Sequence, residues 1–355
     1  MPGATCPSPP HLVRESCAAA KLHECVQVDE DALRGFARNV PLERVRMSLR
    51  GARGVQLPFR FDDLKAEVSF IAMFNLLDFG SGYDRYMEVM KQSDTKECVQ
   101  RGLIGLYLSL GKMDADVMNN ATEFKMAEVC RIPARVDAPH PQIPGLTVEK
   151  EGPMAPFVKS LSKTLNSVGL WLWERQYSSL GDFIVQTLED ETKNGNPPTA
   201  AAFVKALAES LPDYYNDVST MNEAEIYFYR KAQIMATTLH LRFKDDHPGL
   251  FDFKDIDELT ASGDSMLAAS LEIQGILKYD ATLTAKIAAG HALLPGSAEE
   301  NSLRAASVNA VEKLVALTGG NCNAVAFDHF LRQEWRSAKP SNVPRPPSVA
   351  GTLFY

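Results

Sequence analysis

A mostly α protein with few short strands is the fold class that three features of the sequence predict. Apolar residues recur at spacings of three and four along much of the chain. Residues that start and stop helices fall at the ends of these runs. Alternating strand patterns are scarce, and neither a repeating strand–helix order nor a Gly-x-Gly-x-x-Gly fingerprint occurs, which excludes a dinucleotide-binding α/β sheet.

Each element has its own justification. Residues 1–10 carry Pro2, Pro7, Pro9 and Pro10 and are expected to be a flexible lead. Glu67 to Leu77 (EVSFIAMFNLL) is apolar nearly throughout, which suits a buried helix, and Phe79-Gly80-Ser81-Gly82 is its stop. Val99 to Leu110 is a second buried helix. Pro156 to Gln176 places Phe157, Leu161, Leu165, Val168 and Leu172 on one face, and a shorter helix follows near Leu180 to Leu188. Thr199 caps Ala200 to Leu211. Glu223 to Phe243 spaces Phe228, Ala232, Met235, Leu239 and Phe243 as an amphipathic helix of about five to six turns. Ser265 to Leu277, Leu283 to Leu294, Ser302 to Leu317 and Asn323 to Arg336 complete the set, with Gly319-Gly320 closing the third of these four.

Strands are expected only at Val55 to Phe61, which contains Pro58, and at Leu146 to Val148. A Pro-rich tract, Ile132 to Pro156, either links two halves or wraps one body; Ile143, Leu146 and Val148 call for burial and favour one body. The tail Pro340 to Gly351 is also Pro-rich, and its apolar end, Thr352 to Tyr355, predicts a docked terminus. At about 150 residues per domain the length alone allows two domains.

Composition narrows the function classes. With 45 Asp+Glu against 37 Lys+Arg the net charge is -8, which argues against a protein that grips duplex nucleic acid and leaves small polar substrates open. No apolar run approaches the ~18 residues that would cross a bilayer, and residues 1–11 lack the apolar core of a secretory signal. None of the six cysteines forms a Cys-x-x-Cys pair. A reduced, cytoplasmic protein without membrane contact, working as a monomer, is the expectation.

Few residues announce chemistry. The seven histidines form no His-Glu-x-x-His or His-x-His pattern, so no metal site is expected. Phe79-Gly80-Ser81-Gly82-Tyr83 reads as a helix end or as a phosphate-cradling turn. Asp264 stands between Ser262-Gly263 and an apolar helical run, either as an ordinary N-cap or as a carboxylate held rigidly at a helix mouth. Asp328 shares a helix with Phe327, Phe330 and Leu331, so it points to solvent or faces a pocket. Arg230 and Gln233 share a helix face, with His240 on the same side further along; that face is solvated or functional.

A resemblance joins these signals. Phe228-Tyr229-Arg230-Lys231-Ala232-Gln233-Ile234 resembles the helix signature of the queuosine salvage proteins, the queuosine 5′-phosphate N-glycosylase/hydrolase family. The likeness runs in order through Arg14-Glu15-Ser16 with Val26, Val28 and Asp29, then Asn75 to Tyr83, then Pro139-His140-Pro141 to Val148, which are similar to a fungal-type branch. It continues through Leu239 to Phe243, Leu259 to Leu271, Leu303-Arg304-Ala305 to Glu312, Asn323 to Leu331 and Phe354-Tyr355.

The resemblance spans the Pro-rich tract and implies a single helical domain over 11–355, related to helical DNA glycosylases, and hydrolysis of queuosine 5′-phosphate to release queuine, with no metal or organic cofactor. It puts Asp264 on the catalytic acidic position, and Asp328, His329, Ser262, His240, Asn75 and Tyr83 on the substrate side. Breaking a C–N glycosidic bond builds positive charge at the anomeric carbon, which a fixed carboxylate stabilises. Arg230 and Lys231 are the candidates for a 5′-phosphate.

The chain also departs from the family. Ser262 stands where an aromatic residue is usual, His329 replaces Tyr, and Arg332 and Gln333 align with Trp and Asp. Two readings follow: an N-glycoside hydrolase, or a binding protein that keeps the scaffold without catalysis.

Overall fold

The computed structural model describes residues 7–50, 59–193, 195–338 and 345–355. Among the described residues, eighteen α-helices stand beside six short strands that pair only as antiparallel couples, so the mostly α expectation holds. The chain forms two compact units. One takes its described residues from 1–58, 187–350 and 354–355, the other from 59–186 and 351–353.

The first unit opens with α1 (Pro9–Ala19), β1 (Val26–Val28), α2 (Glu30–Asn39) and α3 (Leu42–Arg50). The second holds α4 (Leu64–Leu76), α5 (Asp84–Val89), α6 (Thr95–Leu110), α7 (Ala115–Asn119), α8 (Glu123–Cys130), β2 (Arg135–Pro139), β3 (Thr147–Glu151) and α9 (Ala155–Glu174). The boundary falls within α10 (Leu180–Thr192). The first unit resumes with α11 (Ala200–Ser210), α12 (Pro212–Tyr215), β4 (Val218–Met221), β5 (Ala224–Tyr227) and α13 (Arg230–Phe243). It ends with α14 (Pro248–Phe251), α15 (Ser265–Ile273), β6 (Leu277–Tyr279), α16 (Ala281–Ala289), α17 (Ala298–Leu317) and α18 (Ala324–Ser337). Pro9 and Pro10, expected in a flexible lead, begin α1 and are buried; a first-turn proline lacks only an N–H that would have no helical partner.

In the second unit, α9 buries the predicted stripe Phe157, Leu161, Leu165, Val168 and Leu172, and packs on α7 and α8. Gly80 has φ 99°, and a Cβ there would overlap the Phe157 ring. The Phe79–Tyr83 segment is thus a tight exit from α4 whose glycine is demanded by packing. The expected strand Val55 to Phe61 lies mostly outside the described residues. Phe59 and Phe61 join a cluster with Phe70, Phe74 and Tyr107, with Phe59 stacked on Tyr107 at 4.8 Å.

Two further expectations fail. In the Pro-rich tract the strand expected at Leu146 to Val148 is found as β3, but it pairs with an unforeseen partner, β2, from Arg135↔Glu151 to Pro139↔Thr147. Ile143 and Leu146, expected inside, are 50% and 46% exposed, because they lie in the connection that the hairpin carries outward. The helix expected from Glu223 begins only at Arg230. Residues Ala224–Tyr227 pair with Val218–Met221 around a two-residue turn, Asn222-Glu223, with both φ values positive at 52° and 66°. This turn matches the twist of paired strands and overrides the helix preference of Glu and Ala. From Phe228 onward the predicted spacing holds, and Ala232, Met235, Leu239 and Phe243 are buried.

The first unit's core lies where α3, α15, α17 and α18 pack together, with Val45, Leu267, Leu271, Val311, Phe327 and Leu331 inside. Helix α17 starts at Ser297, whose side chain accepts from the Glu300 N–H, and stops where Gly319 and Gly320 take positive φ. It is buried on nearly all sides through Leu314, so its polar residues must find partners inside. The docked end is confirmed: Tyr355 is buried, and Val349 bridges Leu293.

Candidate active site

Asp264 is the N-cap of α15, with extended backbone (φ -136°, ψ 175°). Its Oδ1 accepts from the Leu267 N–H at 3.0 Å, satisfying one of the helix's orphan donors. The same Oδ1 accepts from Arg332 Nη2 at 2.8 Å, and Oδ2 accepts from Arg230 Nε at 2.8 Å. A carboxylate offers about four lone-pair sites. Among the described residues three are filled, and the one left is on Oδ2. Burial pushes the carboxyl upward, but the guanidinium groups of Arg332 and Arg230 outweigh it and hold Asp264 well below the usual carboxylate range. At neutral pH it is a permanent anion and a weak base.

Asp328 projects from α18 into the same cluster and is buried, which settles its orientation against solvent. Its Oδ2 accepts from the Ser262 N–H at 2.9 Å and from the Ser262 hydroxyl. Its Oδ1 accepts from Arg332 Nε at 2.5 Å, one helical turn away. Arg332 also donates through Nη2 to Ser262 Oγ at 2.6 Å. One guanidinium therefore bridges both carboxylates and stands beside Ser262.

A second layer fixes the segment 259–264. Gln233 donates to Thr260 Oγ1 at 2.9 Å and to the Phe228 carbonyl at 2.8 Å, and its Oε1 accepts from the Thr260 N–H at 2.8 Å. Gly263 lies against α17: a Cβ there would come to 3.1 Å from Val308 and 3.2 Å from the Arg304 carbonyl. Its own carbonyl accepts from Arg304 Nε at 2.7 Å. Arg304 reaches Asp217 with Nη1 at 2.9 Å and Nη2 at 2.5 Å. Its guanidinium lies 3.7 Å from the Phe228 ring centroid and 4.8 Å from that of Tyr355. The Tyr355 hydroxyl donates to Glu300. The Phe354 carbonyl accepts from Arg230 Nη1 at 3.1 Å, so the C-terminal residues brace the site.

The structure thus brings together Asp264, Asp328, Ser262 and Arg230. Arg230, Gln233 and His240 do share a face, but it is buried and not solvated. His240 Nδ1 lies 2.9 Å from the Phe251 carbonyl, and burial holds its imidazole below the ordinary value. Lys231 is fully buried, 5.8 Å from the Tyr215 ring centroid. His329 is half-buried on α18. Asn75 and Tyr83 belong to the second unit: Asn75 is buried on α4, and Tyr83 lies against Phe157 with centroids 5.4 Å apart. Asp217 and the structural role of Arg304 were not foreseen, because they pair across 87 residues of sequence; Glu300 was missed although it stands one turn before Arg304 on α17. The Arg332 bridge had a local signal, Asp328 and Arg332 being i and i+4 on one helix.

Among the described residues no group of three His, Cys, Asp or Glu is placed to hold a metal ion. The five described cysteines are unpaired and buried, and burial pushes the Cys17 and Cys130 thiols up to about 12, far from nucleophilic. None of the described helices is long and apolar enough to cross a membrane.

Fold and site together define a mostly helical protein built around an arginine-held carboxylate at a buried helix N-terminus. The chain belongs to the queuosine salvage protein family, whose model matches residues 137–354, more than half of its length. It is 32% identical over 160 residues to a Sphaerobacter thermophilus protein named queuosine 5′-phosphate N-glycosylase/hydrolase, covering 44% of this chain and 48% of that protein. Proteins of the same name from Bos taurus and Mus musculus are 26% identical over 187 residues and 28% identical over 157. The shares covered are 50% of this chain and 51% of the bovine protein, and 44% and 43% for the mouse protein. The chain spans about half the length of the curated relatives it matches.

Proposed function

We propose that this protein hydrolyses the N-glycosidic bond of queuosine 5′-phosphate, releasing queuine for reuse in transfer RNA modification. Water adds its oxygen to the anomeric carbon, the C–N bonding pair departs with the base, and the base takes up a proton. Asp264 faces the anomeric carbon and stabilises the positive charge that grows there as the bond lengthens. The observation that carries the reading is the acceptor position on Asp264 Oδ2 that no described residue fills, on a carboxylate that two arginines keep ionised. So anchored, it orients water and opposes charge instead of taking a proton in the ground state.

In this reading Ser262, Asp328 and His329 lie on the base side, Arg230 and Lys231 on the phosphate side, and His240 completes the substrate contacts. Residues 11–355 act as one functional domain, supported by a family match that takes residues from both units. The protein works in the cytoplasm as a monomer without a metal or organic cofactor. The acidic net charge of -8 supports a small-molecule substrate over a nucleic-acid duplex.

The test is incubation of the purified protein with queuosine 5′-phosphate, following free queuine, beside Asp264→Asn, which keeps the N-cap acceptor. Wild type should release base, and the variant should be slower by about 10²–10³. Tight binding without turnover by wild type would make the chain a capture protein, and full activity in the variant would remove Asp264 from the mechanism.

A further inference from the structure

We propose that Arg332 is a built-in counter-cation: it takes the place a cationic ligand group would fill at the Asp264–Asp328 pair, so the site selects its ligand by hydrogen-bond acceptors on the base instead of by an ammonium group. The inference rests on the glycoside reading and specifies its substrate class as nucleoside 5′-monophosphates whose base needs no positive charge. Queuosine 5′-phosphate is then accepted without help from its ammonium arm.

Charge counting is the first ground. Asp264 and Asp328 bring two negative charges to the cluster, and Arg230 and Arg332 bring two positive ones. A second cation approaching Asp328 Oδ1 would stand beside a guanidinium nitrogen 2.5 Å from that oxygen. Solvent screens such repulsion weakly in a buried site.

Geometry is the second. The planar fork of Arg332 meets Asp328 with Nε and both Asp264 and Ser262 with Nη2, a set of acceptors that a single ammonium point charge does not match. Anchored on α18 one turn from Asp328, it is a fixed member of the cluster.

The third ground is what is left over. Nη1 of Arg332 donates to none of the described residues. The Arg332 side chain is 15% exposed, against 5% for Asp264 and 8% for Asp328. The most accessible member of the cluster is therefore a donor, where an acidic pair alone would have presented only acceptors.

Binding of two free bases to the full chain tests this without turnover: queuine, which carries the ammonium arm, and 7-deazaguanine, which does not. Calorimetry on wild type should give affinities within about threefold of each other, and Arg332→Leu and Arg332→Gln should shift the ratio towards queuine by about tenfold or more. Arg332→Lys, which keeps the charge, should leave the ratio near that of wild type. A wild type that already prefers queuine by more than about tenfold, a ratio that moves less than about threefold in the leucine and glutamine variants, or no binding of either base would overturn the proposal. Should the leucine variant fail to fold, the glutamine and lysine variants still fix the ratio. Failure of the glycoside reading would show separately, as absence of turnover of queuosine 5′-phosphate by wild type.

Discussion

The first unit contains two arginine–carboxylate clusters built from the same chemistry and finished differently. In one, Arg304 sends Nε to the Gly263 carbonyl and both Nη groups to Asp217, while Phe228 and Tyr355 lie over the guanidinium. In the other, Arg332 spends Nε and Nη2 on Asp328, Ser262 and Asp264 and leaves Nη1 unspent. Side-chain exposure follows: 5% for Arg304 and 15% for Arg332. A buried ion pair with every guanidinium nitrogen engaged and aromatic rings over its face is built to hold structure. One with an acceptor position on Asp264 and a donor on Arg332 unused among the described residues leaves room for the hydrogen bonds that the proposed substrate would make.

The contrast breaks first if the two arginines behave alike. Arg304→Met leaves Asp217 buried without its cation, which should lower unfolding free energy by about 3–5 kcal/mol. Arg332→Met should lower it by less, about 1–2 kcal/mol, because its site is partly open and Asp264 retains Arg230. Chemical denaturation of both variants gives the comparison directly. Equal losses would mean that both clusters are structural. Replacing both Arg304 and Asp217 by apolar residues should recover much of the loss, since no charge is then stranded.

A smaller effect is expected where the two clusters are joined. Gln233→Leu strands the Thr260 N–H and the Phe228 carbonyl, a loss of about 1–3 kcal/mol, and loosens the segment that presents Asp264. Turnover should fall further than stability alone explains, because misplacing a catalytic group by about 1 Å costs about 10²-fold. Measuring kcat on fully folded variant separates the two. Unchanged kcat would show that Gln233 serves only packing. Smaller again is Tyr355→Phe, which removes the hydroxyl donated to Glu300 and keeps the ring over Arg304. About 1–2 kcal/mol of stability should go, with kcat of the folded protein untouched.

How much of this was legible in the sequence depends on distance along the chain. Asp264 could be singled out because a Ser-Gly-Asp turn before an apolar run is a local pattern, and the Phe157 to Leu172 stripe could be read because its spacing is local too. The β4–β5 hairpin was hidden because four residues of alternation weigh little against the helix preference of Ala and Glu, and only pairing with Val218–Met221 decides the matter. Ile143 and Leu146 were placed inside on hydrophobicity alone, which does not say which residues a hairpin carries outward. Asp217 and Arg304 are 87 residues apart, and no periodicity reports such a pair. The resemblance flagged Arg332 as a departure, but its meaning lay in three acceptors brought together from two segments.

The smallest expected effect sets the arginine-held carboxylates against one that has no cation. Glu272, on α15 with Asp264, has a buried Oε2 with no hydrogen-bond partner among the described residues, and burial pushes its carboxyl up to about 7. Asp264 moves the other way, so its contribution to stability is present above its unfolded value near 3.8 and is lost only as pH falls through its much lower folded value. Across pH 5–8 that contribution is therefore flat. For Glu272 the sign reverses. Between its unfolded value of 4.5 and about 7 the folded state binds more protons than the unfolded one, so stability declines as pH rises through that window and levels off above it. Solvent screening of a half-buried group keeps the decline to about 1 kcal/mol or less. Glu272→Gln should flatten this part of the profile and melt higher than wild type at pH 8, by about 2–4 °C. A slope that survives the substitution would assign it to other carboxylates. Glu191, also pushed up to about 7 by burial with Asp255 nearby, is the next to replace.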